Sequence, residues 1–196
     1  MNKVKSILFV GVGGQGTILA SKILSQGLLD SGYDVKMSEV HGMAQRGGSV
    51  STQVRFGEKV YSPLIEKGKA DIIVAFEKSE VARWLDYLKD GGHAVVNDYE
   101  IHPVPVLIGK ESYPKGVKEK VQREVKNSIF VKAGDIAKEL GNIKAQNVVL
   151  LGAVIKALEL DKMDWDGVIE RLVPKKAVEL NKKAFRVGME QVKDMK

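Results

Sequence analysis

Apolar residues in this chain follow two rhythms, which separate strands from helices. Ser6 to Val10 is a short, nearly continuous apolar run, the pattern of a strand buried on both faces. Thr17 to Leu29 instead repeats apolar residues at helical spacing, with Ile18, Leu19, Ile23, Leu24, Leu28 and Leu29 near one stripe. Ser31-Gly32 then stops the helix, because glycine accepts the left-handed geometry of a C-terminal cap. Tyr33 to Val40 reads as the next strand. Strand, glycine turn, helix, strand is the opening of a right-handed βαβ unit.

The pattern continues with strands at Ser49 to Phe56, Asp71 to Phe76, Ala94 to Asn97 and Ile129 to Lys132. Gly57-Glu58-Lys59 predicts a turn that sends Val60-Tyr61 back as a hairpin, an insertion in an otherwise parallel scheme. Ser79 to Leu88 predicts a helix ended by Asp90-Gly91-Gly92. Pro103 and Pro105 predict a loop or edge strand over Val104 to Ile108. Further helices are expected at Pro114 to Lys126, Ala133 to Leu140, Val148 to Leu158, Trp165 to Leu172 and Lys175 to Val192, the last long and basic. No repeat, linker or composition break appears. The expectation is one domain over 1–196, of α/β class: Rossmann-like, with a mostly parallel sheet flanked by helices, a β-hairpin insertion and a helical C-terminus.

Composition narrows the chemistry. The 196 residues include no cysteine, which excludes a disulfide framework, thiolate zinc, cysteine-ligated iron–sulfur clusters and thiol catalysis within them. The net charge of +6, from 31 Lys+Arg against 25 Asp+Glu, permits an anionic ligand. Both signs alternate along the chain, however, there is no arginine-rich tract, and aromatics are 6%, so nucleic acid is not expected as a partner. No apolar run approaches a membrane span and Met1 to Lys5 leads directly into a strand, so neither membrane nor signal peptide is expected and the compartment reads as cytoplasmic. The three histidines are not at ligand spacing, and no metal site is expected.

Two constellations carry candidate chemistry. Gly11, Gly13 and Gly16 form G-x-G-x-x-G between a strand and a helix, with Gly14 and Gln15 inside it. Such a turn lets backbone N–H groups approach a phosphate at a helix N-terminus, or it serves only as a tight connection. Gly14-Gln15-Gly16-Thr17 lacks the lysine of a P-loop. Glu39 ends the second strand where a ribose-binding acid would sit, although His41-Gly42 follows where a helix would be expected. The second constellation runs from Glu39 to Ser49 and contains His41, Gly42, Gln45, Arg46, Gly47 and Gly48. Arg46 suits bidentate binding of a phosphate or carboxylate, or else braces the glycine turn together with Gln45. His41 is a residue type that could act as acid or base near neutral pH, but a lone histidine is more often structural, and no catalytic residue is assigned.

At these residues the chain resembles a known family. GVGGQG, then EVHGMAQRGGSVSTQVRFG (Glu39 to Gly57), SPLI (Ser62 to Ile65), KADIIVAFE (Lys69 to Glu77) and NVVLLGAVIKAL (Asn147 to Leu158) resemble the gamma-type domain of 2-oxoacid:ferredoxin oxidoreductases. Within that family the likeness is to the beta-subunit branch that serves indolepyruvate. The resemblance implies an accessory subunit in oxidative decarboxylation of an aryl pyruvate to an acyl-CoA, with electrons passed to ferredoxin. It places thiamine diphosphate and iron–sulfur clusters on a larger partner subunit, in agreement with the absence of cysteine here and of a Gly-Asp-Gly thiamine diphosphate motif. Under this reading Gly11, Gly13, Gly14, Gln15, Gly16 and Arg46 would receive coenzyme A. Glu39, His41, Gly42, Gln45, Gly47, Gly48 and Ser49 would form the motif loop, which either supports that ligand or docks the partner. The Val148 to Leu158 helix, or the C-terminal helices, would offer a docking surface. Gamma subunits for pyruvate or another 2-oxoacid share these motifs. A stand-alone NAD(P)-binding dehydrogenase, or a purely structural subunit, are the readings from other classes.

Overall fold

The structure, a computed structural model, describes residues 4–41 and 48–192, with only the backbone at His41. One six-stranded sheet organises it. The strands are β1 (Lys5–Val12), β2 (Asp34–His41), β3 (Ser49–Gly57), β4 (Ala70–Ala75), β5 (Leu88–Asn97) and β6 (Asn127–Val131), in the order β2-β3-β1-β4-β5-β6. Residues alternate between the faces of a strand, so β1 divides its apolar run. Ile7 and Phe9 join one core layer while Leu8 and Val10 join the other, all fully buried. This explains why β1 shows no polar alternation: helices cover both its faces.

The larger layer holds α1 (Thr17–Asp30), α5 (Ala133–Glu139), α6 (Gln146–Ala157), α7 (Trp165–Leu172) and α8 (Val178–Glu190). The smaller holds α2 (Lys78–Trp84) and α4 (Val117–Glu124). A single turn, α3 (Val104–Leu107), stands outside both layers. Helix α6 is the centre of the larger layer, buried from Asn147 through Ile155. It meets α8 backbone to backbone, since a Cβ at Gly152 would lie 2.1 Å from the Phe185 carbonyl oxygen and one at Gly188 would lie 2.0 Å from that of Val149. The apolar run expected to dock a partner is therefore a core helix.

Four further expectations are corrected. The hairpin is β2–β3 rather than a return after Gly57. Strand β3 runs antiparallel to both β2 and β1 and separates them, so β1 and β2 share a direction without pairing. The residues after Gly57 instead cross the sheet, where the Ile65 N–H donates to Gln53 Oε1 at 2.6 Å. Asp90-Gly91-Gly92 ends no helix. It forms a bulge within β5, between the Ala70–Leu88 and Ile72–His93 pairs, with Gly91 at φ +71°. The preceding helix closes earlier, in a 3₁₀ turn over Leu85–Tyr87. Pro103 and Pro105 start α3 instead of an edge strand, because the first turn of a helix has no use for their missing N–H groups. The C-terminal helix is likewise shorter than expected: Lys175–Ala177 is a 3₁₀ turn and α8 follows it.

Candidate functional site

The carboxyl ends of β1, β4 and β5 share one end of the sheet, where open α/β sheets place ligands. The turn from β1 into α1 lies there. Gly16 sits at φ +80°, and a Cβ on it would approach Asn147 Nδ2 to 2.5 Å, so this position needs glycine for two reasons. Asn147 also donates to the Gly16 carbonyl at 3.2 Å, tying the turn to the core helix α6. Gly14 has φ +96° but open space around it. Gly14 is exposed and Gly13 and Gly16 partly so, and α1 starts with no side-chain cap and no acidic residue in its first turn. That end carries the helix dipole's positive pole and N–H groups suited to an anion.

Gln15 is corrected as a ligand contact. Its side chain is buried, with Oε1 accepting from the Val12 N–H at 2.8 Å and Nε2 donating to the Phe76 carbonyl at 2.7 Å. It braces the turn from within. Gly11 is closed as well, since a Cβ there would meet Gln15 Oε1 and Phe76 Cβ at 2.9 Å.

Of the second constellation, Gly42, Gln45, Arg46 and Gly47 lie outside the described residues. The His41 backbone ends β2 opposite Val50. Gly48 accepts from the Gly13 N–H at 3.0 Å, bringing the end of this segment to the glycine turn. Ser49 Oγ donates to Glu80 Oε2 at 2.5 Å, and Arg83 Nε lies 3.6 Å from the other oxygen of that buried carboxylate. Glu39 pairs across strands with Thr52, and each has a buried side-chain oxygen without a hydrogen-bond partner among the described residues. Because β3 intervenes, Glu39 stands two strands from β1, away from the position that a ribose acid takes beside a dinucleotide turn.

A second polar centre at the same end is absent from the sequence reading. Glu77, 1% exposed, caps α2 through Oε2, which accepts from the Ser79 N–H at 2.7 Å, Ser79 Oγ at 2.6 Å and the Glu80 N–H at 3.0 Å. Its Oε1 accepts from the Ile101 N–H at 3.2 Å and the Tyr113 hydroxyl at 2.5 Å. Burial and the adjacent Glu77 carboxylate push the Tyr113 phenol well above the ordinary tyrosine range, which keeps it a donor. Around this centre Lys78 Nζ lies 2.6 Å from Glu100 and 3.6 Å from Asp98, and Lys118 lies 2.8 Å from Asp98. Burial pushes the Asp98 carboxyl up, but Lys118 and Lys78 outweigh it and hold the group below its usual range. The Lys78 ammonium does the same for Glu100. The Phe76 carbonyl joins the two centres, accepting from Gln15 Nε2 and also from Asn97 Nδ2 at 3.2 Å.

Residues 6–191 match the family model described as pyruvate ferredoxin/flavodoxin oxidoreductase. The chain belongs to this family. Among curated relatives of this oxidoreductase, the chain is 41% identical to the "Indolepyruvate oxidoreductase subunit IorB" of Pyrococcus horikoshii, over 98% of both chains. In fold it is similar to the pyruvate oxidoreductase subunit PORC of Thermotoga maritima, at a TM-score of 0.72 and 24% identity, covering 97% of this chain and 98% of that one. It is also similar to the 2-oxoglutarate:ferredoxin oxidoreductase of Magnetococcus marinus, at a TM-score of 0.74 and 22% identity, where all of this chain corresponds to 32% of the other. No helix among the described residues is long and apolar enough to cross a membrane.

Proposed function

We propose that this chain is the accessory subunit of a 2-oxoacid:ferredoxin oxidoreductase acting on an aryl pyruvate such as indolepyruvate. The observation that carries the reading is the full-length likeness to the Pyrococcus subunit, 41% identical over 98% of both chains. The chemistry of this chain agrees with an accessory role. Its 196 residues contain no cysteine, so they offer no thiolate for a cluster, and no Gly-Asp-Gly segment for thiamine diphosphate. Decarboxylation and the passage of two electrons to ferredoxin therefore belong to a larger cytoplasmic partner subunit.

The contribution of this chain is to receive coenzyme A. The uncapped start of α1, with exposed Gly14 and the partly exposed Gly13 and Gly16, fits a phosphate. Arg46 is the residue type that binds a phosphate in bidentate fashion. The dehydrogenase reading loses its footing in the intervening β3, which removes Glu39 from the turn.

In the assembled enzyme, Arg46→Ala should raise the KM for coenzyme A roughly tenfold or more, the scale of one lost charge-assisted hydrogen bond, while the subunits still co-elute. Unchanged kinetics in an intact complex would overturn the coenzyme A role. Comparing indolepyruvate, pyruvate and 2-oxoglutarate in the same assay tests the aryl pyruvate assignment, which predicts the highest kcat/KM with indolepyruvate.

A further inference from the structure

Gln15 holds the glycine turn on one side, and a second set of contacts holds it on the other. Val12, the last residue of β1, pairs with Ser49, the first of β3. Just beyond this pair the Gly13 N–H donates to the Gly48 carbonyl at 3.0 Å. The place of Ser49 therefore decides where the Gly13 side of the turn stands. Its hydroxyl donates to Glu80 Oε2 at 2.5 Å, 31 residues further along the chain on α2.

An acidic residue in the first turn of a helix ordinarily complements the helix dipole from the solvent side. Glu80 differs in two respects. It is 4% exposed, and its carboxylate reaches off its own helix to another element. A buried carboxylate is costly unless both oxygens are served. Here the Ser49 hydroxyl serves one, and Arg83 Nε lies 3.6 Å from the other. Helix α2 does not need this carboxylate for its start, because Glu77 already accepts from the Ser79 and Glu80 N–H groups. That cap also fixes the backbone from which Glu80 reaches out.

We infer that Glu80 is a positioning residue for the glycine turn: through Ser49 and Gly48 it fixes the Gly13 side of the turn in the conformation that receives the phosphates of coenzyme A. This rests on the coenzyme A reading of the turn. Gly14, at φ +96° with open space around it, has nothing of its own to hold it. Its conformation is set by its neighbours. Gln15 fixes one side through the Val12 N–H and the Phe76 carbonyl. Glu80 fixes the other through Ser49 and the Gly13–Gly48 bond. Backbone N–H groups bind an anion well when they are already in place, since a loop that must order on binding loses affinity. Glu80 touches no substrate in this role, so its loss shows in the affinity for coenzyme A rather than in the chemistry.

The test uses the enzyme assembled with its larger subunit and compares Glu80→Ala, Ser49→Ala, their combination and Glu80→Gln. Glu80→Ala should raise the KM for coenzyme A roughly tenfold, with kcat and the KM for the 2-oxoacid unchanged. Ser49→Ala is a smaller lesion that leaves Glu80 beside Arg83. It should do the same, and the double variant should add little, because both break one link. Glu80→Gln keeps an acceptor for the Ser49 hydroxyl and should restore most of the affinity. Amide exchange in the full chain is a readout independent of coenzyme A. In Glu80→Ala and Ser49→Ala the Gly13 amide should lose protection, while the Val12 amide, held by Gln15, keeps it. Wild-type protection of Gly13 in both variants would overturn the positioning role alone. So would equal losses of kcat/KM for coenzyme A and for the 2-oxoacid, the mark of a general structural defect. Lost Gly13 protection with an unchanged KM for coenzyme A would overturn the coenzyme A reading of the turn, and this inference with it.

Discussion

The glycine turn and the Glu77 centre lie at one end of the same sheet and share the Phe76 carbonyl, yet they are built in opposite ways. The turn is local. Gly11 to Gly16 closes on itself through Gln15, contains no ionisable side chain and leads into the uncapped start of α1. The Glu77 centre is assembled from distant parts of the chain, joining α2 to Ile101 and Tyr113 across 24 and 36 residues, and it presents side chains rather than backbone. The first is fixed by backbone geometry and the second by a buried carboxylate.

The comparison breaks most readily at Glu77. Glu77→Ala leaves the Tyr113 hydroxyl and several N–H groups without their acceptor, and should cost about 4 kcal/mol in urea unfolding, since bonds to a buried charge are among the stronger ones. Amide exchange should rise across 99–113 while the Val12 amide, held by Gln15, keeps its protection. Equal loosening of both regions would show that they are one unit.

Within the turn, two glycines separate conformation from contact. Gly16→Ala meets both an unfavourable φ and Asn147, and should cost about 3 kcal/mol. Gly14→Ala meets only the φ penalty, about 1 kcal/mol. Similar Tm losses for the two variants would remove the contact with α6 from the account.

The smallest expected effect is a response to acid. Asp98 and Glu100 have lowered carboxyl pKa values, so their stabilisation is complete above the ordinary values of 3.8 and 4.5 and is lost as pH falls through the lower folded values. Below about pH 4, exchange of the Ile101 amide should accelerate before that of Val12. Simultaneous acceleration would contradict the separation of the two centres.

This contrast also explains what could be read in advance. The β1 run, the α1 stripe and the glycine turn leave marks within a few residues, and all three appear where expected. Gly91 carries a true signal of positive φ, but the same signal serves a helix stop or a bulge, and the sheet selected the bulge. Strand β3 forms where expected, with Ser51, Thr52 and Gln53 buried beside its apolar positions, but nothing in its own residues specifies that it inserts between β2 and β1. Gln15 looked like part of a ligand turn because its acceptor, the Phe76 carbonyl, is 61 residues away. Glu77 appeared only as the last residue of a motif, and Asn147 as the first of another, because their partners are chosen by the fold.

The central claim is that this chain completes machinery held by another polypeptide. Its most direct test is 2-oxoacid-dependent reduction of ferredoxin, with coenzyme A present, by the purified chain alone and after addition of the larger subunit. The account predicts no turnover from the chain alone and turnover once the larger subunit is added. Turnover by the isolated chain would contradict it.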